Sequence, residues 1–297
     1  MKQALVLGGL VFSTLGGPLH AQPANRKLDI YWDKLGASIA KVEAGFDGVM
    51  AVAVKDLTDG RTYYLNADEV MPTASMIKIA VLGELFRRNK LDEKYVVAKA
   101  DGLAGDDILS RLTPGVTTLT WRDVAVLMVA VSDNSATNVL IDRLGADRIN
   151  GTLDSLGFRT TRLRRRMLDL EAAKAGRENV ASAREMVGLL DAIHQGKVFP
   201  RTRFDEFWAI LGMHKEGYLN LDLPEGAMIA NKPGWLDGVR TDAALGRPAG
   251  RPFAICVMTT YAKNDRDAER AIAQIGRLAY QYFERVGKSS DLGRVIQ

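Results

Sequence analysis

Apolar residues recur at helical spacing from Leu28 to Val42 and predict an opening helix. The pattern then changes to a β-rich run, Gly48-Val49-Met50-Ala51-Val52-Ala53-Val54. Asp59-Gly60 supplies a turn and Arg61 to Leu65 returns as a second strand, which together predict a hairpin. The middle of the chain is helical, over Ser75 to Arg88, Trp121 to Val131, Ala136 to Leu144, Ala146 to Leu156, Ser182 to His194 and Phe204 to His214. Thr120 is the N-cap of the Trp121 helix, with Asp123 three residues on. Arg162 to Val180 is polar and irregular and predicts a loop. Ala227 to Lys232, Thr241 to Leu245 and Phe253 to Thr260 predict three strands, and Asp265 to Val286 a long amphipathic closing helix.

This order predicts an α/β (α+β) fold. The terminal strands join into one five-stranded antiparallel sheet flanked by the N- and C-terminal helices, with an inserted all-helical lobe. The expected division is one domain over 22–297, with a sheet lobe at 22–66 and 215–297 and a helical lobe at 67–214. A cleft between the lobes is a natural site for a small ligand.

Composition adds a compartment. Of the 297 residues 47% are hydrophobic and 26% charged, an ordinary globular balance. Met1-Lys2 precedes an apolar run, Ala4 to Leu19, and Ala21 is followed by polar Gln22. This predicts a signal peptide over 1–21 and an exported, periplasmic protein. The run is too short and too Gly-rich for a stable membrane anchor. The formal charge of +4 makes no case for nucleic acid. The densest basic run, Arg159, Arg162, Arg164, Arg165 and Arg166, has no interleaved aromatics and fits a solvated or salt-bridged loop. The lone Cys256 lies in an apolar strand, where a buried small hydrophobe is expected.

The chemistry concentrates in Thr73-Ala74-Ser75-Met76-Ile77-Lys78. Ser75 opens a helix and Lys78 follows three residues later, so both side chains share a face. A helix N-terminus offers free N–H groups where an oxyanion develops. A neighbouring amine of lowered pKa can take the hydroxyl proton. The spacing alone is weak, because Ser38-Ile39-Ala40-Lys41 repeats it inside the opening helix, where a plain helix surface is expected. Ser132-Asp133-Asn134 places a hydroxyl and an amide between two helices; Asn134 or Ser135 is also suited to cap the next helix. Lys232-Pro233-Gly234 puts a lysine on an edge strand, with a glycine that permits close approach to the backbone.

In this order the three segments resemble the motif set of class A β-lactamases and penicillin-binding proteins. The flanking stretch Thr118 to Asn138 is similar as well, and the resemblance covers essentially all of 22–297. It implies that Ser75 attacks a lactam carbonyl and Lys78 helps remove its proton. Ser132 would pass a proton to the leaving nitrogen, Asn134 contact the substrate side-chain amide, and Lys232 attract the substrate carboxylate. It also implies an oxyanion hole from the N–H groups of Ser75 and Trp235, beside Gly234, and a carboxylate-binding role for Arg240. The implied substrate is a β-lactam or an acyl-D-Ala-D-Ala-like molecule, handled by a monomer without cofactor or metal.

Two departures stand out. The family has Thr or Ser where Pro233 stands, so a hydroxyl and a backbone N–H are missing. The family also carries a glutamate two residues past an arginine in the loop, where it activates the deacylating water. Here the loop runs Arg166-Met167-Leu168-Asp169-Leu170-Glu171. Asp169 is the first candidate for that base and Glu171 the second, with salt bridges to the nearby arginines as their alternative role. His194 and His214 have no metal-ligand partner at useful spacing, and no Gly-x-Ser-x-Gly elbow is present. The readings left open are β-lactam hydrolysis, a related D-alanyl-D-alanine peptidase or esterase, and a non-hydrolysing β-lactam or peptidoglycan-binding protein.

Overall fold

The computed structural model describes residues 26–88, 90–103 and 107–296; the leader expected over 1–21 lies outside them. Helix α1 (Arg26–Ala44) leads into strands β1 (Val49–Asp56) and β2 (Thr62–Leu65). Strand β3 (Met71–Pro72) and a 3₁₀ turn (Ala74–Ile77) precede α2 (Lys78–Arg88). Then come β4 (Lys94–Val96), β5 (Thr118–Thr120), α3 (Trp121–Ala130), α4 (Asn134–Leu144) and α5 (Ala146–Ser155). They are followed by α6 (Leu170–Lys174), β6 (Val180–Ala181), α7 (Ala183–His194) and α8 (Phe204–Leu211). The chain closes with β7 (Ile229–Leu236), β8 (Val239–Gly246), β9 (Phe253–Thr260) and α9 (Asp265–Gly287).

The main sheet has five antiparallel strands in the order β2-β1-β9-β8-β7, as expected. Its strands are apolar along both faces because both faces are covered. Met50, Val52 and Val54 of β1 pack with Trp32 and Ile39 of α1 and with Phe283 of α9. Ala51 and Ala53, pointing the other way by the two-residue period, join Met76, Ile79 and Met186 on the helical side. Cys256 is buried there too, its sulfur 3.7 Å from that of Met76. Helix α2 is buried from Lys78 through Phe86, so it runs through the interior and brings its first turn to the sheet.

Four local expectations are corrected. The inserted stretch is not all-helical, since β3 pairs with β6 and β4 with β5. Those strands are too short for a two-residue alternation to show. The loop over 162–180 holds α6 and ends in β6. The α-helix begins at Lys78 rather than Ser75, because Ala74 takes a left-handed φ of 47° and Ser75 sits in the 3₁₀ turn. The N-cap of α4 is Asp133, whose carboxylate accepts from the Ala136 N–H at 2.7 Å.

Candidate active site

The turn bearing Ser75 is pinned from two sides. The Thr73 N–H donates to the Asn179 carbonyl at 2.9 Å, and the Thr73 carbonyl accepts from Thr241 Oγ1 at 2.9 Å. Strand β7 passes so close that a Cβ on Gly234 would lie 2.7 Å from the Thr73 carbonyl oxygen and 2.8 Å from the Ser75 nitrogen. Glycine at 234 is therefore a steric requirement of bringing an edge strand onto the Ser75 turn. Trp235, the next residue, leaves its side chain 68% exposed at the rim.

Ser132 is the centre of the polar cluster. Its Oγ donates to Ser75 Oγ at 3.0 Å and accepts from Lys78 Nζ and Lys232 Nζ, each at 3.1 Å. Lys78 Nζ also donates to the Ser132 carbonyl at 2.7 Å and to Asn134 Oδ1 at 3.0 Å. Lys232 Nζ donates to the Pro233 carbonyl at 3.1 Å. Ser132 reaches this position with φ at 57°, a left-handed backbone that its surroundings must hold. Asp133 supplies part of that hold, accepting from the N–H groups of Leu109 and Ala136. Asp107 supplies the rest, accepting from the N–H groups of Asn134 and Ser135 and from Ser135 Oγ. Asp107 carries no local signal in the sequence, because it meets its partners only through the fold.

Burial holds the Lys78 ammonium well below the usual lysine range, and positive Lys232 pushes it further, against the opposing charges of Asp107 and Asp133. Burial, followed by the charge of Lys215, brings Lys232 down to about 7, with Asp242 opposing. The Lys78 amine, whose neutral form burial favours, faces the Ser132 hydroxyl, which faces Ser75. That chain can carry a proton away from Ser75. The Ser38 decoy ends on its own helix, donating to the Lys34 carbonyl at 2.8 Å.

The remaining candidates are placed elsewhere. Asp169 is exposed and caps α6, accepting from the Ala172 N–H at 2.9 Å. Glu171 is exposed and pairs with Lys174 at 3.0 Å. Neither carries the arginine bridges expected of it: Arg165 pairs with Glu178 at 2.8 Å and Arg166 with Asp142 at 3.0 Å. Two residues past Arg165 stands Met167, buried, with its N–H donating to Asn138 Oδ1 at 2.7 Å and its carbonyl accepting from Asn138 Nδ2 at 3.1 Å. Asn179 clamps the loop in the same way, through the N–H groups of Arg164 and Arg165 and the Arg165 carbonyl. Counted from Arg165, the position where the resemblance expects a glutamate thus carries an apolar thioether. Arg240 is also reassigned. Its guanidinium pairs with Glu269 at 2.8 Å and Asp265 at 3.0 Å and donates to the Leu236 and Val239 carbonyls. With those partners it is a brace between β8 and α9 rather than a free cation for a substrate.

The chain is similar to known proteins over most of its length. The profile of the "Beta-lactamase enzyme family" matches residues 34–283. The β-lactamase AST-1 of Nocardia asteroides is 28% identical over 244 residues, covering 78% of each chain. The solved β-lactamase of Sphaerobacter thermophilus DSM 20745 superposes with a TM-score of 0.73 at 28% identity, covering 84% of this chain and 97% of that one. A variant of PBP-A, solved as an acyl-enzyme complex with penicillin G, superposes with a TM-score of 0.75 at 26% identity, covering 85% of this chain and 97% of that one. With a matched span that runs from α1 into α9, the chain belongs to the beta-lactamase enzyme family.

Proposed function

We propose that this protein is an exported serine β-lactamase, one catalytic domain over 22–297, that works through an acyl-enzyme on Ser75. The observation that carries the reading is the Ser132 hydroxyl, within 3.1 Å of Ser75 Oγ, Lys78 Nζ and Lys232 Nζ at once. Ser75 Oγ attacks the lactam carbonyl carbon as its proton passes through Ser132 Oγ to Lys78 Nζ. The N–H groups of Ser75 and Trp235 receive the oxyanion. The amide C–N bond then breaks, and the proton returns from Lys78 through Ser132 to the leaving nitrogen. Asn134 orients the substrate amide, and Lys232 draws the substrate carboxylate. Water completes hydrolysis by attacking the ester carbonyl and expelling Ser75 Oγ.

The buried Met167 and the outward Asp169 favour slow completion of that last step. The same observation supports a second reading, a penicillin-recognising peptidase or esterase whose β-lactam adduct is long-lived. The PBP-A variant to which this chain is similar in structure was solved as an acyl-enzyme complex with penicillin G. Hydrolysis of a chromogenic cephalosporin by the purified protein tests the proposal. The expected trace is a burst stoichiometric with enzyme and then slow turnover, both absent in Ser75→Ala. A wild-type trace without burst or turnover removes the β-lactamase reading.

A further inference from the structure

Three lysines at this end of the molecule are buried: Lys78 is 0% exposed, Lys232 1% and Lys215 8%. Lys215 is the one with no role so far. It lies in the segment between α8 and β7 and, with Ser132, Lys232 and Pro233, lines a cleft of about 860 Å³. Its Nζ donates to the Leu211 carbonyl at 2.7 Å and the Met213 carbonyl at 2.6 Å. An ammonium has three donors, so one remains. Lys232 is in the same state, with Ser132 Oγ and the Pro233 carbonyl as its two acceptors. Among the described residues, neither lysine has a carboxylate within ion-pair distance.

The acidic groups around them are already engaged. Asp242, fully buried, accepts from the N–H groups of Tyr218 and Leu219 and from Asn231 Nδ2, which ties the 215–220 segment to β8. Burial pushes its carboxyl up to about 6. Glu269, on the cleft wall, is paired with Arg240. Glu216, also on the wall, is exposed to solvent. Two desolvated ammonium groups thus share one cleft with no anion bonded to either. Buried charges of one sign are costly until a counter-charge arrives. Besides Lys232, two groups that the resemblance leads one to expect at the substrate carboxylate are missing: position 233 has no hydroxyl, and Arg240 is held by Glu269 and Asp265.

We propose that Lys215 is a second anchor for the substrate carboxylate, acting beside Lys232 in place of the hydroxyl absent at 233 and of Arg240. The inference rests on the Ser75 acyl-enzyme reading and names the residue that selects anionic substrates for it. Lys215 touches the non-reacting end of the substrate, so it sets specificity rather than chemistry.

The test compares benzylpenicillin with its neutral methyl ester, reading the second-order rate of adduct formation on the full mature protein by intact-mass spectrometry. Lys215→Met keeps the stem and removes the charge. It is expected to lower the acid-to-ester rate ratio about tenfold, the scale of one charge-assisted contact. Lys215→Arg is expected to keep most of the ratio. If the Met variant does not fold, Lys215→Gln, which can still bond the two carbonyls, carries the same test. Adducts with both substrates and an unchanged ratio in a folded variant overturn the Lys215 assignment alone. An Arg variant that loses as much as Met overturns it too, since charge is then not the cause. No wild-type adduct with either substrate overturns the Ser75 reading beneath it.

Discussion

Ser75 with Lys78, Ser132, and Lys232 come from three distant parts of the chain and direct their polar atoms at one another, whereas the carboxylates of the 162–180 loop point at the loop itself or at solvent. In the first region the polar groups are partly or fully buried and joined through one hydroxyl. In the second, Asp169 caps a five-residue helix and Glu171 holds a surface lysine. The loop itself is firmly built, clamped by Asn138 and Asn179. Its carboxylates Asp169 and Glu171 are exposed, and the residue that Asn138 clamps, Met167, is buried and apolar. On the proposed reading, forming an acyl-enzyme and releasing it are therefore separable steps in this molecule.

Lys78→Met cuts deepest into the first region. Loss of the amine proposed to take the Ser75 proton is expected to slow adduct formation by about 10²- to 10⁴-fold, the usual contribution of a positioned base. Stopped-flow acylation rates check this, and a rate within a few-fold of wild type would remove Lys78 from the proton path. Met167→Glu acts on the second region in the opposite sense. A carboxylate on the backbone that Asn138 clamps is expected to speed adduct decay by about 10²-fold. Intact-mass decay curves read it directly, and an unchanged lifetime would mean that position 167 does not face the ester.

The pH dependence separates the regions more gently. Lys232, brought down to about 7, loses its charge as pH rises through neutrality. The rate constant for a carboxylate-bearing β-lactam should then fall by up to about tenfold per unit on the alkaline side. Lys215, brought down to about 8 by burial, extends the fall. Burial lowers the Lys78 pKa, so a role as proton acceptor would be lost as pH falls and the amine becomes protonated. A methyl ester should keep the acid limb and lack the alkaline one. Parallel profiles for acid and ester would exclude the lysines as carboxylate anchors. The smallest change is Asp169→Asn. Asparagine caps as well as aspartate, so stability should hold within about 0.5 kcal/mol, and the decay rate should not move. A slowed decay would restore Asp169 as the base.

The parts legible in the sequence were those encoded locally. Thr120 and Asp123 do form a capping box, each bonding the other's backbone N–H. The five strands and both flanking helices followed from periodicity. Ser75, Lys78, Ser132 and Lys232 were legible as motifs, and the fold brings them together. The rest depended on contacts between distant residues. Asp107 and Asn138 hold backbone groups 27 and 29 positions away in sequence. Arg240 lies where a substrate ligand was expected, but Glu269 and Asp265 had already claimed its guanidinium. Lys215 carries no local signal in the sequence, since its segment is tied to the sheet by Asp242, far along the chain.

Intact-mass spectrometry over time after one equivalent of benzylpenicillin tests the separation of the two regions most directly. The structure leads us to expect stoichiometric adduct within the mixing time, located on the Ser75 peptide, followed by decay far slower than its formation. An adduct that decays as fast as it forms, or one that survives Ser75→Ala, would contradict it.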